Sequence, residues 1–445
     1  MSSQTTTNYH LICGLEVHAE LKTASKMFCG CKNDPFHAEQ PNIYTCPVCL
    51  GLPGALPVAN KKAVEWTIKL GLALNCKINL FSKFDRKHYF YPDLPKGYQI
   101  SQYDIPFCVD GYLDTAEGRV RIRRIHLEED TAKLVHRTVN NEKVSLIDFN
   151  RSSVPLIEIV TEPDIHTPQQ AKDYAKKMRQ IIRFLDIADC DMDQGGMRLE
   201  ANISLSPVKG ELPNYKVEVK NINSFRFLEQ AISFEVQRQS LELMDGRTPA
   251  QQTRGWDSVH NTTFPQRSKE DAEDYRYFPD PDLPPIRFSE ADIEQLRTEL
   301  PELPDAVIKR WQAEYNVEPK YGELLTPDLE QMTFMNDLFT VAATEQVEVA
   351  KLASAIANKK LSYALTDSPT SIVNAFKAAV HQDEVPVTEI ESAVKTVLSE
   401  SSQQVQDYKA GKLGLLNFFV GQTLKKLGKK VSPDQVRTIV ETQLK

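Results

Sequence analysis

Long apolar runs are missing from the 445-residue sequence. None approaches the ~18 residues that a membrane-spanning helix requires. Residues 1–8 are polar, with neither the basic and apolar segments of a secretory signal nor the Arg-rich amphipathic pattern of an organellar transit peptide. These absences exclude a membrane protein and predict a cytoplasmic one.

Three common catalytic motifs are also missing. The sequence has no G-x-x-x-x-G-K-[ST] phosphate loop, no G-x-G-x-x-G dinucleotide fingerprint and no G-x-S-x-G nucleophile elbow. If the chain uses ATP, it therefore does so through a different kind of site.

Positive charge is scarce. The chain has 53 Lys and Arg residues and 61 Asp and Glu residues, so its formal net charge is −8. A protein that coats nucleic acid needs an excess of cations, so any RNA contact here must use a confined basic patch. Cysteine is scarce as well: eight residues are too few for a disulfide scaffold in a chain of this length.

Four of the cysteines nevertheless cluster in sequence. Cys29 and Cys31 form one close pair, Cys46 and Cys49 form another, and fourteen residues separate the pairs. This spacing suits a closed tetrahedral Zn²⁺ site with a structural role, and the alternative is unrelated buried thiols. The isolated cysteines are predicted to be small core residues; they are Cys13, Cys76, Cys108 and Cys190.

Short alternating runs from Tyr9 to about Phe288 predict an α+β body. Strands are predicted at Ile12–Leu21, Val120–Ile125, Leu156–Thr161, Leu199–Leu205 and Tyr215–Val219. A helix is predicted after Thr167, which offers an N-cap before Pro168 and a capping-box Gln170. Its apolar stripe is expected to be core; the residues are Ala171, Ala175, Met178, Ile181, Ile182 and Leu185.

The proline-dense stretch 278–285 cannot sustain a helix or a central strand, so the main boundary is placed just past it. Amphipathic helical segments follow from about Glu290, with a second break near Ser368-Pro369. The length of the chain is consistent with two or three domains. We therefore predict domains at 1–289, 290–368 and 369–445.

Ionisable residues are set into two of the predicted strands. In Ile12–Leu21 the period of two places Glu16, His18 and Glu20 on one face and apolar residues on the other, although a solvated polar face would look the same. Glu158 is centred in an apolar run, where burial is costly unless the carboxylate binds a metal or a cation; the alternative is a half-buried strand with this face outward.

Further acids occur in His126-Leu127-Glu128-Glu129-Asp130, next to the basic run Arg121, Arg123 and Arg124. Carboxylates on several strands could hold Mg²⁺, which prefers oxygen ligands and keeps positions open for nucleotide phosphates. A solvated charge run is the alternative. The segment 83–98 interleaves cations with aromatic and turn residues, which favours either phosphate or base binding or an unliganded surface loop.

Longer strings of sequence closely resemble the GatB family, the B subunits of tRNA-dependent amidotransferases. The strings are Gly14–Leu21, Cys46–Gly54, Lys83–Lys87, Tyr89–Asp93, Val154–Asp164, Met197–Arg198, Glu200–Ser204, Lys220–Phe225 and Asp274–Asp282. In the tail, Tyr408–Lys412 and Phe418–Gln422 also match. Glu200 departs from the pattern, because many family members have Asp there, and the helical region before the tail looks shorter than usual.

This resemblance implies a mixed-sheet "cradle" catalytic domain with a zinc module at 29–49, a helical domain and a YqeY-like helical tail. It implies a ligase that uses ATP to phosphorylate the side-chain carboxylate of Glu-tRNA(Gln) or Asp-tRNA(Asn), and then amidates it with ammonia from a glutaminase partner. The implied partners are the amidase-type protein GatA and the small protein GatC, which would complete a heterotrimer.

When the metal ligands of the family are carried over to the matching motifs of this sequence, the Mg²⁺ ligands would be Glu16, His18, Glu129 and Glu158. Lys87 and Lys96 match family lysines near the ammonia path, where they would orient the activated carboxylate or help deliver a neutral amine. The tail lysines are the expected tRNA phosphate contacts, unless they form a solvated face; they are Lys409, Lys412, Lys425, Lys426, Lys429 and Lys430. Two alternatives are a non-catalytic tRNA-binding zinc scaffold and an amidoligase for a small free acid.

Overall fold

The computed structural model describes residues 9–268, 275–382, 385–428 and 431–444, which fall into two compact units. The first unit runs to Val307 and takes in Thr326–Leu329, and the second holds Ile308–Leu325 and the chain from Glu330 onward. No helix of the described residues is both long and apolar enough to cross a membrane.

The first unit is built on a mixed sheet, as predicted. The strands are β1 (His10–Glu20), β2 (Lys77–Ile78), β3 (Phe81–Ser82), β4 (Asp85–His88), β5 (Tyr98–Ser101), β6 (Cys108–Thr115), β7 (Gly118–Glu129), β8 (Lys133–Val139), β9 (Glu142–Asp148), β10 (Pro155–Thr161), β11 (Met197–Ser206), β12 (Val217–Ile222), β13 (Gln252–Asp257), β14 (Thr262–Ser268), β15 (Phe278–Pro279) and β16 (Ile286–Arg287). Within the described ranges, nine of them form one sheet in the order β14-β13-β12-β11-β1-β10-β7-β6-β2. Its neighbours are antiparallel except β12 and β13, which are parallel.

Three helices cover one face of this sheet: α1 (Lys61–Ala73), α2 (Pro168–Phe184) and α3 (Phe225–Met244). Leu15 and Val17 of β1 are buried in the same core as Met178 of α2 and Leu228 of α3. Burial of each such side chain contributes about 1.5–3 kcal/mol. Because side chains alternate along a strand, the even-numbered residues of β1 project from the other face.

Helix α2 begins as the sequence predicts. Thr167 Oγ1 accepts a hydrogen bond from the Gln170 N–H at 2.9 Å, and Pro168 is the first helical residue. The predicted apolar stripe lies in the core or packs against it. The helix therefore packs its apolar stripe against the sheet.

The regular elements described beyond Arg287 are all helices, in agreement with the sequence. They are α4 (Glu290–Thr298), α5 (Pro304–Tyr315), α6 (Pro319–Leu325), α7 (Leu329–Thr344), α8 (Val349–Ala357), α9 (Pro369–Gln382), α10 (Val387–Glu400), α11 (Ser402–Lys409), α12 (Leu415–Leu427) and α13 (Pro433–Leu444). Helix α9 begins at Pro369, at the second expected break. The tail helices share a core around Ile390, Phe419 and Val440. The boundaries at 289/290 and 368/369 stay predictions.

Candidate active site

The face of the large sheet opposite helices α1, α2 and α3 carries ionisable side chains in cross-strand register. Glu158 on β10 lies opposite His126 on β7 and His18 on β1, and His18 lies opposite Arg198 on β11. Side chains at such directly opposite positions are close enough to interact. One row across the four strands therefore consists of His126, Glu158, His18 and Arg198.

A second row runs beside the first. Arg124 on β7 lies opposite Val160 on β10, Val160 lies opposite Glu16 on β1, and Glu16 lies opposite Glu200 on β11. Glu218 on the next strand, β12, comes close to Glu16 and Glu200. The two rows bring acids from several neighbouring strands onto one surface.

The first group of potential metal ligands, which we call the histidine–glutamate group, consists of His18, Glu128 and Glu158. One ligand atom from each lies within 4.8 Å of the others. His126 Nε2 lies 3.1 Å from Glu158 Oε2 and 3.5 Å from Glu128 Oε2. The Ser101 hydroxyl donates to Glu128 Oε2 at 2.9 Å. The carboxylates are thus held in place by neighbours on other strands.

Burial penalises each charge in this group, but mutual attraction outweighs the penalty. Burial lowers the pKa of His126, while Glu158 and Glu128 raise it to a net value of about 9. Burial raises the pKa of Glu158, yet His126 and His18 together hold that pKa well below its usual range. The pKa of Glu128 is also lowered, because the hydrogen bond and the charge of His126, together with the charge of Lys87, outweigh burial and the repulsion from Glu158. The carboxylates are therefore ionised at neutral pH and suited to a cation.

The second group, which we call the triglutamate group, consists of Glu16, Glu200 and Glu218. Its three carboxylates also come within 4.8 Å of one another. Asn202 donates to Glu16 Oε1 at 2.9 Å, and Lys220 Nζ lies 3.0 Å from Glu200 Oε2 and 3.5 Å from Glu218 Oε1. Burial, followed by repulsion from Glu158 and Glu200, raises the pKa of Glu16. One lysine thus balances only part of the negative charge of three acids.

In addition to Lys220 and Arg198, Lys87 and Arg124 lie beside these acids. Burial lowers the pKa of Lys87 on β4, but Glu128, Tyr277, Glu158 and Tyr275 together outweigh burial and raise it. Its Nζ lies 4.7 Å from the Tyr275 ring centroid. Arg124 shares the second row, and its Nε is buried without a hydrogen-bond partner among the described residues. The neighbouring Arg121 and Arg123, in contrast, pair bidentately with acids of the segment 162–164.

The four predicted magnesium ligands do not lie in a single group. His18 and Glu158 belong to the histidine–glutamate group, and Glu16 belongs to the triglutamate group. Glu129 is in neither: its Oε1 lies 2.7 Å from Lys96 Nζ and accepts from the Ile100 N–H at 3.0 Å. The adjacent Glu128 lies beside His18 and Glu158 instead.

The spacing of Glu128, two residues after His126 in the run that follows the predicted strand Val120–Ile125, is the signal in the sequence that could have identified it. Sequence reasoning did not single out Glu200 as a ligand, nor Glu218 or Lys220. Their proximity to Glu16 depends on the register between β1, β11 and β12, and cross-strand register is set by tertiary contacts.

The predicted zinc cysteines do come together. The Sγ atoms of Cys29, Cys31, Cys46 and Cys49 lie within 4.8 Å of one another, and those of Cys46 and Cys49 are 3.9 Å apart. Zn–S bonds of about 2.3 Å in a tetrahedron require S–S edges of roughly 3.8 Å. A hydrogen bond with Cys29 lowers the pKa of Cys49 to about 5 and raises the pKa of Cys29. The isolated cysteines are buried core residues, as predicted.

The cysteine segment also packs directly against a predicted site residue. Gly51 has φ +66°, and a Cβ at this position would lie 2.5 Å from Lys96 Cγ. Only glycine suits both this backbone conformation and this close approach. The turn after Cys49 therefore helps to hold the Lys96 side chain beside Glu129.

The tail lysines with described structure are exposed: Lys409, Lys412, Lys425 and Lys426. Lys412 pairs with Asp407 at 3.1 Å and Lys426 with Glu400 at 2.6 Å, so part of their charge is balanced locally. Lys429 and Lys430 lie outside the described residues, as does Asp274 of the resembling strings.

Comparison with known proteins identifies the family. Residues 11–294 match the family of the GatB/GatE catalytic domain, and residues 337–444 match the family described as the GatB domain. The chain is 42% identical to the B subunit of the aspartyl/glutamyl-tRNA(Asn/Gln) amidotransferase of Thermomicrobium roseum, over 98% of this chain and 99% of that protein. It is 41% and 40% identical to the B subunits of Thermodesulfovibrio yellowstonii and Thermotoga petrophila, with the same coverage. The chain therefore belongs to the GatB family of amidotransferase subunits.

Proposed function

We propose that this chain activates and amidates the side-chain carboxylate of Glu-tRNA(Gln), Asp-tRNA(Asn) or both, with ATP as the phosphoryl donor. It would act as a ligase component in the cytoplasm, in a heterotrimer with GatA and GatC. The observation that carries the proposal is the pair of acidic groups on one sheet face, bordered by Lys87 and Arg124.

The donor atoms of both groups fit Mg²⁺, because five of the six are carboxylate oxygens and Mg²⁺ prefers oxygen ligands. The triglutamate group would hold one ion through Glu16, Glu200 and Glu218, and the histidine–glutamate group would hold another. When bound, Mg²⁺ would supply neutralisation of the negative charge on the phosphoryl group. Glu128 would be a ligand in place of Glu129, and Glu129 would be the ion-pair partner of Lys96.

The four thiols fit Zn²⁺, because their mutual distances match a closed tetrahedron and leave no position for a substrate. Zinc at Cys29, Cys31, Cys46 and Cys49 would stabilise the turn that packs against Lys96. Its role in this proposal is structural.

The chemistry has two displacement steps. A side-chain carboxylate oxygen of the aminoacyl group attacks the γ-phosphorus of ATP, the bond to ADP breaks, and an acyl phosphate forms. Ammonia then attacks the acyl carbon, phosphate leaves with the bonding electrons, and the nitrogen loses a proton. The first step converts a poor acyl donor into a good one.

The cations have separate roles in these steps. Arg124 has a buried N–H that no described residue accepts, so its guanidinium is available to bind the transferring phosphoryl oxygens. Lys87 remains protonated beside Glu128 and would orient the anionic acyl phosphate. Lys96 is held by Glu129 and by the turn at Gly51, a position suited to guiding the amine.

The remaining partners follow from the same proposal. Ammonia would come from the glutaminase partner, GatA, and reach the acyl phosphate past Lys96. Charged tRNA would contact the exposed tail lysines through its phosphates.

The test is a transamidation assay on the complex assembled with GatA and GatC. We expect ATP-dependent conversion of Glu-tRNA(Gln) to Gln-tRNA(Gln), and no turnover of free glutamate. Amidation of free glutamate would establish a small-acid amidoligase, and tRNA binding without ATP consumption would establish a scaffold. Either result would overturn the proposal.

A further inference from the structure

Lys26 carries a positive charge into the interior of the first unit. Its side chain is fully buried, although lysine is almost never fully buried unless it is paired. Lys26 Nζ donates a hydrogen bond to the carbonyl of Phe149 at 3.1 Å, and within the described ranges it has no carboxylate partner. A buried ammonium without an anion is costly. Its counter-ion must therefore be something other than an Asp or a Glu of the described residues.

The backbone places Lys26 between the two cysteine pairs. Its N–H donates to the carbonyl of Cys31 at 3.0 Å. The turn that accepts the Lys26 ammonium also contacts the second pair, because the Ser152 N–H donates to the Phe149 carbonyl at 3.1 Å and Ser152 Oγ donates to the Cys49 carbonyl at 2.8 Å. Lys26 is thus tied to the segments that hold the thiols on both sides.

The four thiols would supply the missing negative charge. Zinc binds cysteine as the thiolate, and one Zn²⁺ balances only two of the four thiolate charges. Cys49 is itself fully buried, so water screens its charge poorly. The pKa of Cys49 is lowered by a hydrogen bond with Cys29, against burial, and the charge of Lys26 lowers it further. The lysine and the thiols therefore already interact electrostatically.

We infer that Lys26 is the counter-cation of the zinc–thiolate centre and raises the affinity of the four thiols for zinc. The inference rests on the zinc site of the proposed function and adds a residue that the cysteine spacing does not identify. An ammonium has no lone pair for a metal, so Lys26 acts through the ligands and is a positioning residue. The competing role is simple support of the turn at Phe149, through the hydrogen bond to its carbonyl.

The zinc affinity of the full-length chain, measured by competition with a chromophoric chelator, tests the inference. Lys26→Met keeps the apolar stem and removes the charge, and it should weaken zinc binding about 10–100-fold, the range for residues that act on a metal through its ligands. Lys32→Met is the matched control. Lys32 follows Cys31 directly, but its side chain is exposed and pairs with Asp34 at 2.8 Å, so its loss should change the affinity less than about 2-fold.

A second measurement separates an effect of charge from support of the turn. The Met27 N–H donates to the Ser153 carbonyl at 2.7 Å, so its hydrogen exchange reports on the contact between the cysteine segment and the turn. In the zinc-bound chain Lys26→Met should speed this exchange by about the factor lost in zinc affinity, because zinc stabilises the state that binds it. Cys49→Ser removes the zinc site and its buried thiolate, and in that chain Lys26→Met should leave the exchange unchanged or slow it, because the ammonium there has lost its anion.

Each outcome decides between the two roles. Equal zinc affinity in Lys26→Met and the unmodified chain would overturn the inference and leave the zinc site standing. Equal acceleration of exchange with and without Cys49, or failure of Lys26→Met to fold in excess zinc, would assign Lys26 to the turn alone and overturn the inference too. If Cys49→Ser does not fold, the affinity measurement decides by itself. If the unmodified chain bound no zinc, the zinc site of the proposed function would fall together with the inference.

Discussion

Glu235 is the centre of a buried ionic network that supports the sheet behind the candidate active-site face. Its side chain is fully buried in α3, where the carboxylate accepts hydrogen bonds from Arg238 at 2.8 Å, Gln239 at 3.0 Å and Thr263 at 2.5 Å. Arg254 Nε lies 3.2 Å away. Gln239 also donates to the carbonyl of Ile203 on β11 at 3.4 Å. The network therefore joins α3 to β11, β13 and β14.

Glu235→Gln keeps the shape of the side chain and removes its charge. Two arginines then lose their buried counter-ion, and removal of one partner of a buried ion pair costs about 3–5 kcal/mol. Glu242→Gln is the matched control on the same helix. Glu242 is partly exposed and lies 3.0 Å from Arg238 Nη1, so its loss should cost less than about 1 kcal/mol.

The cost of Glu235→Gln should also depend on pH. Burial raises the pKa of Glu235, but Arg238, Gln239 and Thr263 together outweigh burial, and the net pKa lies below the usual value of about 4.3. A carboxylate with a lowered folded-state pKa stabilises the protein above its unfolded pKa, and this stabilisation is lost as the pH falls through the folded pKa. The difference between the unmodified chain and Glu235→Gln should be complete at pH 7 and shrink below about pH 4.

Hydrogen exchange is the suitable assay, because a chain with two compact units need not unfold in one transition. It reports the opening free energy of α3 and β11 directly. We expect a large loss of protection in both elements for Glu235→Gln and almost none for Glu242→Gln. Equal protection in the two variants at pH 7 would refute the reasoning.

Three further predictions concern the site. Arg124→Gln should lower the single-turnover rate of phosphoryl transfer by about 10²–10³ with the fold intact, and Arg124→Lys should recover part of it; an unchanged rate would remove Arg124 from the mechanism. The purified chain should hold about one zinc ion, measured by mass spectrometry, and Cys46→Ser should reduce this content. Cys13→Ala, the control, should leave it unchanged. Equal zinc in the two variants would exclude the thiol site. Lys96→Met should lower the yield of amidated tRNA per ADP formed, measured in the assembled complex, because the amine would no longer be guided; an unchanged ratio would assign Lys96 a purely structural role.

The sequence predicted much of the fold because its signals were local. The capping residues around Thr167 define the start of α2, and the period of two in residues 12–21 defines β1. The spacing of the four cysteines was likewise enough to predict their cluster.

The composition of the acidic groups was less predictable, since it depends on register between distant strands. Glu16 meets Glu200, far away in the sequence, only because β1 pairs with β11 in one particular register. A shift of one residue would turn these side chains to the other face. The choice between Glu128 and Glu129 depends on the same alternation, and the resemblance to the family selected Glu129.

Carboxylate activation is the central claim, and isotope transfer tests it most directly. Glu-tRNA(Gln) with ¹⁸O in the side-chain carboxylate would be supplied to the assembled complex with ATP and glutamine, and the released phosphate analysed by mass spectrometry. An acyl phosphate predicts ¹⁸O in the phosphate from the unmodified complex, and little product or labelled phosphate with Glu158→Gln. Release of unlabelled phosphate during normal amidation, or full labelling with Glu158→Gln, would contradict the account.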